Sequence, residues 1–409
     1  MRDEMKKVPR LRFRGFSEDW ELCKLEKLTD FFSGLTYSPD NVQKDGTFVL
    51  RSSNVKDNAI ISADNVYVRN EVANSEHVQV GDVIVVVRNG SRSLIGKHAP
   101  INREMPNTVI GAFMTGLRSP SPKFLNTLLD TQQFNVEIHK NLGATINQIT
   151  TGEFKRMHFI VPTDEDEKEK IGSLFRQLDD IITLHQRKLD QLKELKKAYL
   201  QVMFPAKDER VPKLRFADFE GEWEQCKLGN ILTERNTQQS KSKEYPLVSF
   251  TVEDGVTPKT ERYEREQLVR GDKSSKKYKV TELNDIVYNP ANLKFGAIAR
   301  NHYGKAVFSP IYITFIVNDK LACSSYVEVF ITRKDFISYS LKYQQGTVYE
   351  RQSVSPENLL NMKFLLPNTK EQEFIGHFFE KLDCNSNFHK KKITQLKNLK
   401  KSYLQNMFI

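Results

Sequence analysis

The chain is written twice. Residues 8–25 read VPRLRFRGFSEDWELCKL, and residues 211–228 read VPKLRFADFEGEWEQCKL, the same element displaced by 203 positions. The shift lays Val8 on Val211, Phe13 on Phe216, Trp20 on Trp223 and Cys23 on Cys226. Both tryptophans of the protein fall in this element, so chance does not explain it. A longer repeat follows at an offset of 204, IGSLFRQLDDIITLHQRKLDQLKELKKAYLQVMF over residues 171–204 and IGHFFEKLDCNSNFHKKKITQLKNLKKSYLQNMF over 375–408. An apolar run ending in proline precedes each copy, HFIVP to Pro162 and KFLLP to Pro367.

Between the repeats the halves diverge. GDVIVVVRNGSRSLIGKHA at 81–99 and NDIVYNPANLKFGAIA at 284–299 still share a pattern of strand, polar loop and strand, with Gly96 and Gly296 at the restart. Near the end of each half come GATINQITTGEFKRM from Gly143 and GTVYERQSVSPENLLNM from Gly346. The organisation expected is a variable domain over 1–162, a helix over 163–204, a linker over 205–210, a second variable domain over 211–367 and a second helix over 368–409.

The helices follow from local chemistry. Thr163 with Asp166, and Asn368 with Glu371, put a capping oxygen three residues ahead of a carboxylate. Acidic first turns, and basic last turns at Lys196, Lys197, Lys400 and Lys401, would complement the helix dipole. Ile182, His185, Leu189, Leu192, Lys196, Tyr199 and Met203 alternate three and four apart, as do Ser386, His389, Ile393, Leu396, Lys400, Tyr403 and Met407. This is a coiled-coil period, with Leu195 and Leu399 widening the stripe. Packing of each helix on its own domain would explain one stripe. Matching stripes with charged flanks favour pairing of the two helices with each other, and make His185 and His389 seam residues instead of metal ligands. The linker PAKDER stops the first helix and the opening signature restarts, so the repeat is cyclic: the end of the second helix could be joined to the start of the first domain. An antiparallel helix pair with a domain at each end, related by a pseudo-two-fold, satisfies this connectivity.

At 409 residues, with 39% hydrophobic and 28% charged side chains, the chain can bury more than one core. Its longest apolar runs, VIVVV at 83–87 and YITFIV at 312–317, fall well short of the roughly 20 residues that span a bilayer. The charged start MRDEMKKVPR does not read as a secretion signal, so a cytoplasmic protein without a membrane partner is expected. Cysteines 23, 226, 323 and 384 have no metal-ligand spacing, and Cys23 and Cys226, being repeat equivalents, read as inert packing thiols.

A net charge of +10 directs attention to polyanions, and nucleic acid is the commonest. The stretch from Leu178 to Met203 would make a rod of roughly 39 Å at about 1.5 Å per residue, close to the roughly 34–36 Å turn of B-DNA. Two unlike basic domains on such a rod would read two unlike half-sites separated by an unread spacer.

The element order, with GATINQIT, LPNTKEQEFIG and the paired FxxxLD and LKxLKKxYLQxMF segments, resembles the specificity subunit of Type I restriction–modification enzymes over essentially the whole chain. The resemblance implies two α/β (α+β) target recognition domains, each reading half of a split double-stranded DNA target. It implies an antiparallel coiled coil that docks two methyltransferase subunits, with restriction–translocase subunits joining the complex. It also implies no catalysis and no cofactor in this chain, the partner subunits using S-adenosylmethionine, ATP and magnesium.

The residues agree with a non-catalytic reading, since no phosphate-binding loop and no Gly-x-Gly-x-x-Gly is present. YNPAN at 288–292 lacks the second proline and aromatic of an amino-methyltransferase motif and reads as a turn. PTDEDEK at 162–168 imitates a nuclease site, but its carboxylates share one helical turn. Candidate base contacts in the first domain are Arg88, Asn89, Ser91, Arg92 and Lys97, then Asn147, Gln148 and Thr150, because forked donors and acceptors suit base edges. Those in the second are Asn292, Lys294 and Arg300, then Tyr349, Arg351 and Gln352. Lys273, Lys276 and Lys277 in GDKSSKKYK suit phosphates. Each could equally be an ordinary solvated loop residue. The rival reading is a scaffold with two protein-binding domains on a coiled-coil stalk, its charge serving solubility.

Overall fold

The computed structural model describes residues 8–142, 147–259, 276–345 and 352–409. They form two compact units, one of Met1–Arg187 with Lys390–Ile409 and the other of Lys188–His389. Each unit therefore takes the start of one long helix and the end of the other. The helices run over Glu165–Val202 and Thr369–Met407.

In the first unit the opening strand Glu21–Lys24 pairs antiparallel with His158–Val161 at the domain's far end, Cys23 opposite Phe159. A four-stranded antiparallel sheet runs Asp30–Ser33, Met114–Arg118, Val83–Val86, His98–Pro100. A second sheet, centred on Thr47–Leu50, includes a parallel pairing with Thr108–Ile110. Val83, Ile84 and Val85 are fully buried, as expected of a central strand covered on both faces. The second unit repeats this plan. Glu224–Lys227 pairs with Lys363–Leu366, and the main sheet runs Leu232–Glu234, Ile313–Val317, Ile286–Tyr288, Ile298–Arg300. Helices lie apart from largely antiparallel sheets, the α+β form of the expected class.

The two strand–loop–strand segments turn at Gly96, φ +86°, and Gly296, φ +85°, a left-handed conformation that favours glycine. The repeated Ile-Gly on the long helices has a packing cause. A Cβ on Gly172 would stand 2.5 Å from the backbone nitrogen of Phe124, and one on Gly376 would stand 2.8 Å from that of Tyr326. Both positions belong to short helices, Pro122–Leu129 and Ser324–Ile331, which rest on the long helices there.

Within each unit the paired helix segments are antiparallel. In the first, Lys400 meets Asp179 while Phe408, further along, meets Phe175, further back. In the second, Lys196 meets Asp383 while Tyr199 meets Phe378. Leu189, Leu192, Met203, Ile393 and Met407 are buried, and Ile182, His185, Tyr199, His389, Leu396 and Tyr403 are half-buried. The tryptophans close the two cores alike: Trp20 meets Phe408 edge-on at 5.8 Å and Trp223 meets Phe204 edge-on at 5.8 Å.

Four helix expectations need correction. The first long helix is capped by Asp164, not Thr163, its Oδ1 accepting from the backbone nitrogens of Asp166 and Glu167 at 2.8 and 3.1 Å. Asn368 does cap the second through Glu371 N at 2.9 Å, but the Glu371 carboxylate turns to Arg215 instead of closing a capping box. Lys196, Lys197, Lys400 and Lys401 do not serve the helix dipole, because the helices run on past all four, and carboxylates hold the Lys196 and Lys400 ammonium groups. Leu195 and Leu399 remain exposed, so the apolar seam is narrower than its sequence stripe.

Candidate nucleic-acid interface

The two candidate stretches of the first domain meet in space. Arg88 bridges Gln148, Asn89 N donates to Asn147 O at 3.2 Å, and Ile149 N donates to Val87 O at 2.9 Å. Asn147 Nδ2 closes the loop by donating to Gly90 O at 3.0 Å. Asn89 Nδ2 donates to Ser52 Oγ at 3.1 Å, bringing in a third segment that the sequence did not suggest. The Arg88 guanidinium lies 5.0 Å from the ring centre of Phe113, a half-exposed aromatic. Ser91, Arg92 and Lys97 are exposed, with Arg92 donating to Leu142 O at 3.3 Å.

Of these residues, Asn89, Ser52 and Phe113 line a cleft of about 660 Å³. Tyr37, Pro39, Arg51, Ser52, Asn89, Ala112 and Phe113 are among its lining residues. The 51–65 loop behind Arg51 is fixed by Asn54, fully buried, whose Nδ2 donates to Ala63 O at 2.7 Å and whose Oδ1 accepts from Arg51 N at 3.0 Å.

In the second domain Val354 N donates to Pro290 O at 3.3 Å, and the Tyr288 hydroxyl donates to Val354 O at 3.1 Å. These bonds bring the stretch containing Gln352 beside the turn that carries Asn292 and Lys294. Lys276 and Lys277 are exposed, Lys276 standing 5.5 Å from the Tyr278 ring centre. Lys273, Tyr349 and Arg351 lie outside the described residues.

Two candidates are structural. Arg300 is 6% exposed, and its guanidinium is spent on Glu328 at 2.8 Å and on Glu380, so no donor face is offered to a base. Thr150 caps the short helix Thr151–Lys155, accepting from Glu153 N at 3.2 Å and donating to Glu153 Oε2 at 2.7 Å. This capping box holds the Glu153 carboxyl below the usual range. Burial pushes the Cys23 and Cys226 thiols up, in keeping with packing thiols.

A buried aspartate recurs at the start of each strand–loop–strand segment. Asp82 accepts from Arg118 at 2.8 and 2.9 Å, and Asp285 accepts from Arg235 at 2.7 and 3.0 Å. The carboxylates are repeat equivalents, but one arginine ends the strand Met114–Arg118 and the other follows the strand Leu232–Glu234, so each half meets the same need for a counter-charge from a different place. Among the described residues no cluster of His, Cys, Asp or Glu could hold a metal ion. No described helix is long and apolar enough to cross a membrane.

Residues 17–194 match the family model described as the Type I restriction modification DNA specificity domain. The chain is 23% identical over 425 residues to the StySPI specificity subunit of Salmonella potsdam, with 96% of this chain and 89% of that protein aligned. It is 22% identical over 433 residues to the EcoKI specificity subunit of Escherichia coli K12, with the same shares aligned. The solved S subunit of a Type-I restriction-modification system from M. genitalium superposes with a TM-score of 0.68 over 98% of this chain and 99% of that one. At 14% identity this last likeness is one of fold. The fold is that of a two-domain protein built on paired long helices. In sequence and fold that protein resembles the specificity subunits of Type I restriction–modification enzymes.

Proposed function

We propose that this chain is the DNA-reading subunit of a Type I restriction–modification complex. Each domain reads one half of a bipartite, asymmetric duplex target, and the paired helices set the spacer and dock two methyltransferase subunits. Restriction–translocase subunits join the assembly around that core. Catalysis, with its S-adenosylmethionine, ATP and magnesium, resides in the partners, and the complex works in the cytoplasm.

The observation that carries this reading is the meeting of exposed Arg88 and half-buried Asn89 with half-buried Asn147 and Gln148, in a domain matching the specificity-domain family. The plan of each domain recurs while its loops diverge, as two readers of unlike sequences require. A fluorescence titration of labelled duplex by the full chain, alone and with its cognate methyltransferase, tests it. Salt-dependent binding that becomes sequence-selective with the methyltransferase is expected. A complex that forms yet never prefers one duplex over another would favour the scaffold reading.

A further inference from the structure

The Arg51 side chain has more hydrogen-bonding capacity than its present partners use. One terminal nitrogen donates to the Asp64 backbone oxygen at 2.6 Å and to the Asp64 carboxylate, while Nε is buried without a partner. Asp64 is 77% exposed, so this ion pair is screened by water and holds Arg51 weakly. The backbone beneath is fixed by Asn54, which gives Arg51 a rigid base and an exchangeable head. Ser52 and Asn89 stand beside it, and Arg88 over Phe113 adds positive charge at the same rim.

The second unit has a cleft at the corresponding place in its fold, about 800 Å³ in volume. The first follows strand Thr47–Leu50 and the turn at 111–114, and the second follows strand Val248–Thr251 and the turn at 309–312. Its lining is different, with Phe250, Thr251, Lys276 and Tyr312 and neither arginine nor asparagine. A site kept in position while its chemistry changes is what two readers of unlike half-sites would show.

We infer that this cleft is where the first domain engages a base-pair edge, and that Arg51 is its specificity-determining residue. The inference rests on the DNA-reading function proposed above. On binding, the phosphate backbone repels the Asp64 carboxylate and the guanidinium transfers to a paired acceptor such as guanine O6 and N7. Lysine cannot replace it, because a point charge does not make the two parallel bonds.

The test is methylome sequencing of a host expressing the full chain with its cognate methyltransferase, for wild type, Arg51→Ala and Arg51→Lys. Both variants should lose roughly ten- to a hundredfold discrimination at positions of one half-site and leave the other unchanged. Arg51→Lys keeps the charge and guards against a folding failure of Arg51→Ala. An unchanged motif in the lysine variant, or equal damage to both half-sites in either variant, overturns the assignment of Arg51 alone. A wild-type chain that directs no motif overturns the DNA-reading function as well.

Discussion

Arg12 grips Glu167 through two nitrogens, at 2.7 and 2.8 Å, and ties the opening signature of the chain to the first turn of a long helix. Glu167 is fully buried. The repeat places Arg215 on Glu371 in the same way, at 2.7 Å through each nitrogen. Removing the arginine strands a buried carboxylate, which costs about 3 kcal/mol. Urea unfolding of Arg12→Ala and of Arg215→Ala should show this loss in each, and the double variant should show their sum, since the pairs share no partner. Losses under about 0.5 kcal/mol would mean that the pairs behave as surface ion pairs.

Gly172 and Gly376 are predicted to tolerate no side chain. An alanine methyl at Gly172 would meet the Phe124 nitrogen at 2.5 Å and the Lys123 carbonyl carbon at 2.7 Å, and backbone cannot rotate away. Each alanine variant should lose about 2 kcal/mol in thermal or urea unfolding, although alanine is the better helix former. A stabilised variant would show that the short helix does not rest where the structure puts it.

Lys400 supplies a pH dependence. Burial alone would lower its pKa, but the Asp130 and Asp179 carboxylates, at 2.7 and 2.6 Å, more than offset this and raise it. A lysine raised on folding gives stability that is fully present below its unfolded value, about 10.4, and lost as pH rises through the folded value. Lys400→Met should therefore cost about 3 kcal/mol at neutral pH, with the gap to wild type narrowing above pH ~10.5. Its equivalent Lys196 is more exposed and meets one carboxylate among the described residues, Asp383, so Lys196→Met should cost less than about 1 kcal/mol. A gap that stays constant up to about pH 11.5 would contradict the assignment.

The cyclic repeat predicts a viable permutant. Leu214 N donates to Val202 O at 2.9 Å across the linker of residues 205–210, and the repeat-equivalent Leu11 N donates to Asn406 O at 2.8 Å. Joining residue 409 to residue 8 through a copy of PAKDER, and opening the original linker, should give a folded chain. Its thermal midpoint should lie within a few degrees of wild type, and loss of cooperative unfolding would show that the two junctions are not equivalent.

What the sequence disclosed was what repetition and periodicity can carry. The long helices, the strand–loop–strand segments with their glycines and the pairing of the helix ends were legible because each rests on local spacing or on a duplicated signature. Arg300 was misread because its partners, Glu328 and Glu380, lie 28 and 80 residues away and no local pattern marks an arginine that folds inward. Arg51 was missed for the opposite reason. Its setting depends on the buried Asn54 amide and on a crossing of segments 51–53, 89 and 111–114, which no short motif announces. The Thr163 reading erred by one residue, because aspartate at 164 is an equally good cap and lies nearer the helix.

The most direct test of the central claim is the methylation pattern that this chain imposes. Single-molecule sequencing of DNA from a host carrying the full chain and its cognate methyltransferase, against a host lacking the chain, should reveal one new motif made of two unlike half-sites flanking a spacer of unspecified bases. A continuous motif, two identical half-sites or no change on adding the chain would contradict the account.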